Sequence, residues 1–135
     1  MTPVALAAVH ATAFDRPWDA AAFQTLLGQP GVAALGDDDG FVLIRAVAGE
    51  AEILTLAVLP ERRGQGLGLT LTRAAADLAR TMQATVLHLE VAEDNVPALS
   101  VYRRAGFIQS GRRPGYYPRQ NAPDAAALIL NLNLD

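Results

Sequence analysis

The 135-residue chain contains no cysteine and no lysine; all eleven basic side chains are arginine. The first absence excludes disulfides, a zinc–thiolate site and a cysteine nucleophile. Histidine is scarce too: His10 and His88 stand too far apart to suggest a metal site, so no metal is expected. No apolar run approaches the roughly 20 residues of a membrane helix. Ala11-Thr12-Ala13 has the small-residue pattern of a signal-peptidase site. No Lys or Arg precedes it, however, and His10 interrupts the segment, so a cytoplasmic location is expected. A net charge of −3 argues against nucleic-acid binding, which wants a basic face, and is compatible with a basic peptide partner.

What is present is hydrophobic. With 51% hydrophobic residues the chain is expected to fold as one domain, residues 1–135, with a real core. Its organising stretch is Leu54 to Gly68, LTLAVLPERRGQGLG. TLAVL reads as a buried strand, and Pro60 ends it because proline lacks the N–H a ladder needs. Arg62, Arg63, Gly64, Gly66 and Gly68 crowd the next seven residues, and Leu67, Leu71, Ala74, Leu78 and Met82 then recur at helical spacing. A strand, a glycine loop and a helix aim bare N–H groups and a helix N-terminus at one point, which suits an anion; Arg62 or Arg63 can add a charge-assisted bond. Three glycines alone fit a plain connector as well.

Ahead of this stretch, Thr2-Pro3 starts a helix that continues to Phe14, and Asp19 caps a second one that Gly28 stops, with Trp18 stapling its entry. Gly31 to Gly36 and Phe41 to Ala48 read as strands about an Asp37-Asp38-Asp39-Gly40 turn, and with the strand ending at Pro60 they form an antiparallel meander. Beyond it come a helix over about 67–82, a strand Thr85 to Val91, a helix capped by Asn95 and closed by Ala105-Gly106, and strands Phe107 to Gly111 and Ala125 to Leu134. The last two flank an Arg-, Pro-, Tyr- and Asn-rich loop. The order ααβββαβαββ gives an α/β class, with a mixed sheet and helices on both faces.

In TVLHLEV, alternation puts Val86, His88 and Glu90 on one face and Leu87, Leu89 and Val91 on the other. Glu90 lies at the carboxyl end of the strand, the usual ligand side of such sheets. Asn95 and Tyr102, two turns apart, share a helix stripe, so Glu90, Asn95 and Tyr102 are expected to converge on one cleft. His88 reads as a half-buried residue facing the helices that could also assist as a base.

Arg63-x-x-Gly66-x-Gly68 resembles the R/Q-x-x-G-x-G/A signature of the GNAT superfamily of N-acetyltransferases. Leu89 to Phe107, LEVAEDNVPALSVYRRAGF, is similar to that superfamily's L-E-V…N…Y…G-F segment. His10, Ala13-Phe14 and Pro17-Trp18, together with Arg112-Arg113-Pro114-Gly115-Tyr116-Tyr117-Pro118, resemble stretches of the RimI-type ribosomal-protein alanine N-acetyltransferases. The resemblance implies a GNAT fold and an acetyl-CoA-dependent transfer to the N-terminal amine of a protein. It implies Glu90 as general base through water and Tyr102 as general acid on the CoA thiolate. Asn95 would hold the pantetheine arm, and the backbones of Leu56 and Val58 would bond the thioester and pantetheine. Arg63, Gly64, Gly66, Leu67 and Gly68 would cradle the pyrophosphate, and Tyr116 and Tyr117 would line the peptide cleft. Two departures stand out. The family's strand before the first helix has no counterpart here, and Gly64 replaces a frequent arginine. Two rivals share these motifs: a small-molecule or lysine-side-chain acetyltransferase, and a non-catalytic acyl-CoA-binding regulatory module.

Overall fold

The computed structural model describes all 135 residues. The elements run α1 (Pro3–Ala13), α2 (Ala20–Leu27), β1 (Val32–Asp37), β2 (Gly40–Val47), β3 (Glu50–Val58), α3 (Leu67–Thr81), β4 (Val86–Ala92), α4 (Val96–Arg104), β5 (Ile108–Tyr117) and β6 (Ala125–Asn133), with a single 3-10 turn at Pro60–Arg62. Three helices begin on a side-chain cap, as their sequences require. Thr2 accepts from the Ala5 N–H, Asp19 from that of Ala22 and Asn95 from that of Ala98.

One six-stranded sheet has the order β1-β2-β3-β4-β6-β5. Its only parallel pairing is β3 with β4, joined by the crossover through α3; every other pair is antiparallel. No strand precedes α1, and β1 forms one edge of the sheet. No helix is long and apolar enough to cross a membrane.

The sequence misplaces one boundary. Arg112 to Tyr117 is not loop: β5 continues through it, pairing Arg112 with Leu128, Arg113 with Ala127 and Tyr117 with Ala125. Pro114-Gly115 argues against a strand only where both strand edges must bond. β5 lies at the edge of the sheet, and an irregularity between Arg113 and Tyr117 absorbs the proline.

Two apolar layers clasp the sheet. On one face α3 and α4 bury Leu71, Ala75, Ala79, Leu99 and Tyr102 against Leu87, Leu89 and Val91 of β4 and Leu128 and Leu130 of β6. On the other, α1 and α2 bury Leu6, Val9 and Phe23 against Phe41, Leu43 and Ala57. This second layer draws its strand residues only from β1 to β3, so the same face of β4, β6 and β5 is left without a helix. His88 and Glu90 look out onto it. His88 is therefore half-buried as expected, but it does not face the helices.

His10 joins the second layer to β3. It is 2% exposed and stacks on Phe14 and Trp18 at 4.1 and 5.0 Å. The Trp18 N–H donates to Nδ1 at 3.0 Å, so the proton sits on Nε2, which donates to the Thr55 hydroxyl at 3.1 Å. Burial lowers the pKa of this neutral ring from 6.5 to about 4. The unfolded chain binds that proton first, so stability is intact above pH 6.5 and is lost as pH falls toward 4, by about 3 kcal/mol in all. Urea midpoints measured across that window should fall for the unaltered chain, and the fall should be shallower for His10→Phe.

Candidate active site

The site begins with a dislocation in β3. β2 pairs Leu43 with Thr55 and then Ile44 with Ile53, so Leu54 is an extra residue, a bulge that bends β3. Directly before it, β3 loses its parallel neighbour. The β3–β4 ladder consists of Glu50–Val86, Ala51–Leu87 and Glu52–His88 and goes no further. From there the two strands part, and a wedge opens between Ile53–Val58 and Leu89–Ala92. The Leu59 N–H bonds Asp39 on the β2 side. By the two-residue alternation of a strand, Leu56 and Val58 therefore turn their backbone groups into the wedge. The Val58 carbonyl accepts from Arg63 Nε at 3.2 Å.

The glycine loop stands at the mouth of this wedge. Gly64 and Gly66 have φ of +76° and +80°, where a side chain is strained, and a Cβ on either would meet nothing within 4 Å, so both present bare backbone to open space. Gly66 is the N-cap of α3. Alone among the four α-helices, α3 has no side-chain cap. Its first N–H groups, at Leu67 and Gly68, are left for a ligand. Of the two candidate arginines, Arg62 is held by Asp39 at 3.3 Å, while Arg63 carries no carboxylate.

Glu90 and Tyr102 flank β4 from opposite faces. Glu90 is on the helix-free face, its side chain 29% exposed. Tyr102 belongs to the α3–α4 core, 8% exposed and edge-on to Phe107. Burial pushes its phenol up to about 12. Its hydroxyl has no protein partner, yet no buried polar side-chain atom is orphaned, so the hydroxyl reaches solvent. Only where β3 and β4 separate can groups on the two faces of β4 act on one molecule. Asn95 lies past the end of β4, its Oδ1 engaged by the Ala98 N–H at 3.3 Å. His88 turns its ring nitrogens to Asn131 (2.8 Å) and Glu50 (3.7 Å), not to Glu90. No group of three or more His, Asp or Glu is arranged to hold a metal ion.

Three ion pairs tie the end of β4 and the residues after it to β5 and the segment beyond: Glu90–Arg113 at 3.1 Å, Glu93–Arg112 at 3.0 Å and Asp94–Arg119 at 2.8 Å. Tyr116 and Tyr117 sit among them, edge to face at 5.1 Å, with Arg113 over one ring and Arg119 over the other. Burial, and then the charge of Glu90, raise the Tyr117 phenol, while the Arg119 hydrogen bond is the largest influence holding the Asp94 carboxyl low. The arginines are the residues the sequence reading left without a role. Their signal is three arginines within eight residues, Arg112 and Arg113 in β5, which pairs with β4's partner β6, and Arg119 just past its end.

The family model described as the acetyltransferase (GNAT) family matches residues 9–107. The chain belongs to that family. A Bacillus subtilis (strain 168) protein, named provisionally a [ribosomal protein bS18]-alanine N-acetyltransferase, is 35% identical over 93% of this chain and 86% of its own length. The Mycobacterium tuberculosis (strain H37Rv) N-alpha-acetyltransferase RimI is 37% identical over 82% of this chain and 73% of its own. Among solved structures, the Escherichia coli ribosomal-protein-S18-alanine N-acetyltransferase superposes on 98% of this chain and 88% of its own, with a TM-score of 0.88 and 25% identity. A more distant acetyltransferase of Bacillus anthracis (str. Ames) shares the fold (24% identity, TM-score 0.70, 84% of this chain and 68% of its own) and was crystallised in complex with acetyl coenzyme A. Membership makes the chain an N-acetyltransferase, and the GNAT fold inferred from its motifs is the fold observed.

Proposed function

We propose that the chain, as a single acetyltransferase domain in the cytoplasm, transfers acetyl from acetyl-CoA directly to the N-terminal α-amine of a protein, with a ribosomal-protein N-terminal alanine as the leading acceptor. The observation that carries this is the wedge between β3 and β4. One of its walls is an unpaired strand edge, its mouth is an uncapped helix, and beyond it lies a helix-free face holding Glu90. A pantetheine arm contains amides and can bond the Leu56 and Val58 backbone as a strand would. Pyrophosphate suits the N–H groups of Gly64, Gly66, Leu67 and Gly68, with Arg63 turning from Val58 to meet it. Asn95 would hold the arm's far end, and Tyr116 and Tyr117 would flank an entering peptide.

The chemistry balances with two side chains. The amine nitrogen attacks the thioester carbonyl carbon, and its proton leaves through water to Glu90. The C–S bond breaks, and the thiolate takes a proton from the Tyr102 hydroxyl. An α-amine has a pKa of about 8 against about 10.4 for lysine, a difference worth about 3.3 kcal/mol. One relayed carboxylate is therefore enough for an N-terminus. With no cysteine to carry the acetyl group, transfer is direct, and acid quench during turnover should trap no acetylated protein.

Thiol release from acetyl-CoA tests the function against peptides with a free N-terminal alanine, the same peptides with a blocked terminus and an internal lysine, and polyamines. Turnover is expected with free termini alone. Turnover confined to lysine or polyamine would replace the acceptor, and acetyl-CoA binding with no turnover would favour a regulatory module. Arg63→Ala should raise the KM for acetyl-CoA about tenfold or more, the scale of a bond to a charged group, and leave the peptide KM unchanged.

A further inference from the structure

Arg113 has a contact that neither the cofactor nor the fold requires. The segment from Arg112 to Arg119 is already fastened at both ends. Arg112 bonds Glu93 through Nε and Nη2 at 3.4 and 3.0 Å, and Arg119 grips Asp94 with two bonds of 2.8 Å. Between these anchors the Arg113 guanidinium reaches back across the open face to Glu90 Oε1 at 3.1 Å and lies 5.6 Å from the centre of the Tyr116 ring. A carboxylate beside aromatic faces is a seat for a cation. The pair is open to solvent, with the arginine side chain 54% exposed, so the cation in it can exchange.

We propose that Arg113 is a specificity-determining residue: its guanidinium occupies the seat on Glu90 that the acceptor's α-ammonium takes, and only another cation displaces it. This rests on Glu90 being the acceptor-side carboxylate of the function proposed above. A free N-terminus brings its own positive charge and replaces the guanidinium ion for ion. A blocked terminus is neutral and would leave the Glu90 carboxylate without a counter-ion, so Arg113 stays in place. The same exchange favours product release. Once the amine has become an amide its charge is gone, and the guanidinium returns.

The test is calorimetric titration of the CoA-bound protein with an alanine-starting peptide and with its N-acetylated twin. The unaltered chain is compared with Arg113→Gln and with Arg112→Gln, which removes an equal charge from the neighbouring ion pair. Both sites are exposed, so folding is not at stake. Arg113→Gln should bind the free peptide about two- to fivefold tighter, the range exposed ion pairs reach. The acetylated twin should gain nothing, and Arg112→Gln should leave both unchanged. Equal or weaker binding by Arg113→Gln, an equal gain for the twin, the same gain in Arg112→Gln, or no binding of the free peptide to any form would each overturn the proposal. Failure of the enzymatic reading shows separately, as absence of turnover by the unaltered chain.

Discussion

Replacing Glu90 with Gln is expected to lower kcat for a free N-terminal peptide by about two to four orders of magnitude, the contribution of a positioned general base. The affinity for acetyl-CoA should not change, because the strand edge and glycine loop that would hold it lie on the other side of the wedge. Glutamine keeps the size of the side chain and can still hydrogen-bond, so the loss isolates the missing negative charge and basic oxygen. Arg113 would lose its carboxylate partner, but that pair is exposed and contributes about 1 kcal/mol at most to stability, so thermal unfolding should move little. Stopped-flow or steady-state thiol release measures kcat, and titration with CoA measures the affinity. An unchanged kcat would remove Glu90 from the reaction.

The second large effect belongs to Tyr102. Tyr102→Phe keeps the ring that packs on Phe107 and the α3–α4 core and removes only the hydroxyl, which has no protein partner to strand. Stability should be close to unchanged while kcat falls by about two orders of magnitude or more, as expected for loss of a general acid. With its pKa pushed up to about 12, the phenol keeps its proton at every pH the enzyme works in. Any fall of kcat between pH 8 and 10 therefore comes from another group and should persist in Tyr102→Phe. An unchanged kcat in Tyr102→Phe would remove the phenol from the reaction.

How far the sequence could be read depended on the range of the interactions concerned. The glycine loop was legible because proline ends a strand, glycine permits positive φ, and helical spacing resumes at once, all within fifteen residues. The side of β4 that carries Glu90 was legible because alternation is a local rule. The approach of Glu90, Asn95 and Tyr102 to one cleft was inferred from helix spacing alone, and spacing does not specify that α4 packs on the Leu87–Leu89–Val91 face, opposite Glu90. The Leu54 bulge, beside which the wedge opens, lies in an apolar stretch interrupted only by Thr55 and leaves no mark there. Pro114-Gly115 hid the second half of β5, because only the strand's place at the sheet edge makes a proline tolerable. Arg113 went without a role for the same reason, since its contact with Glu90 depends on the register of two strands against a third. His10 read as one more helix residue, and its bonds to Trp18 and Thr55 follow from how α1 lies on β3.

The most direct test offers both kinds of amine on one molecule. A peptide with a free N-terminal alanine and an internal lysine is incubated with the protein and acetyl-CoA, and fragmentation by tandem mass spectrometry locates the acetyl group. Acetyl on the α-amine, with the lysine unmodified, is the result expected from a single relayed carboxylate acting on the less basic amine. Acetyl on the lysine, with the terminus still free, would contradict it.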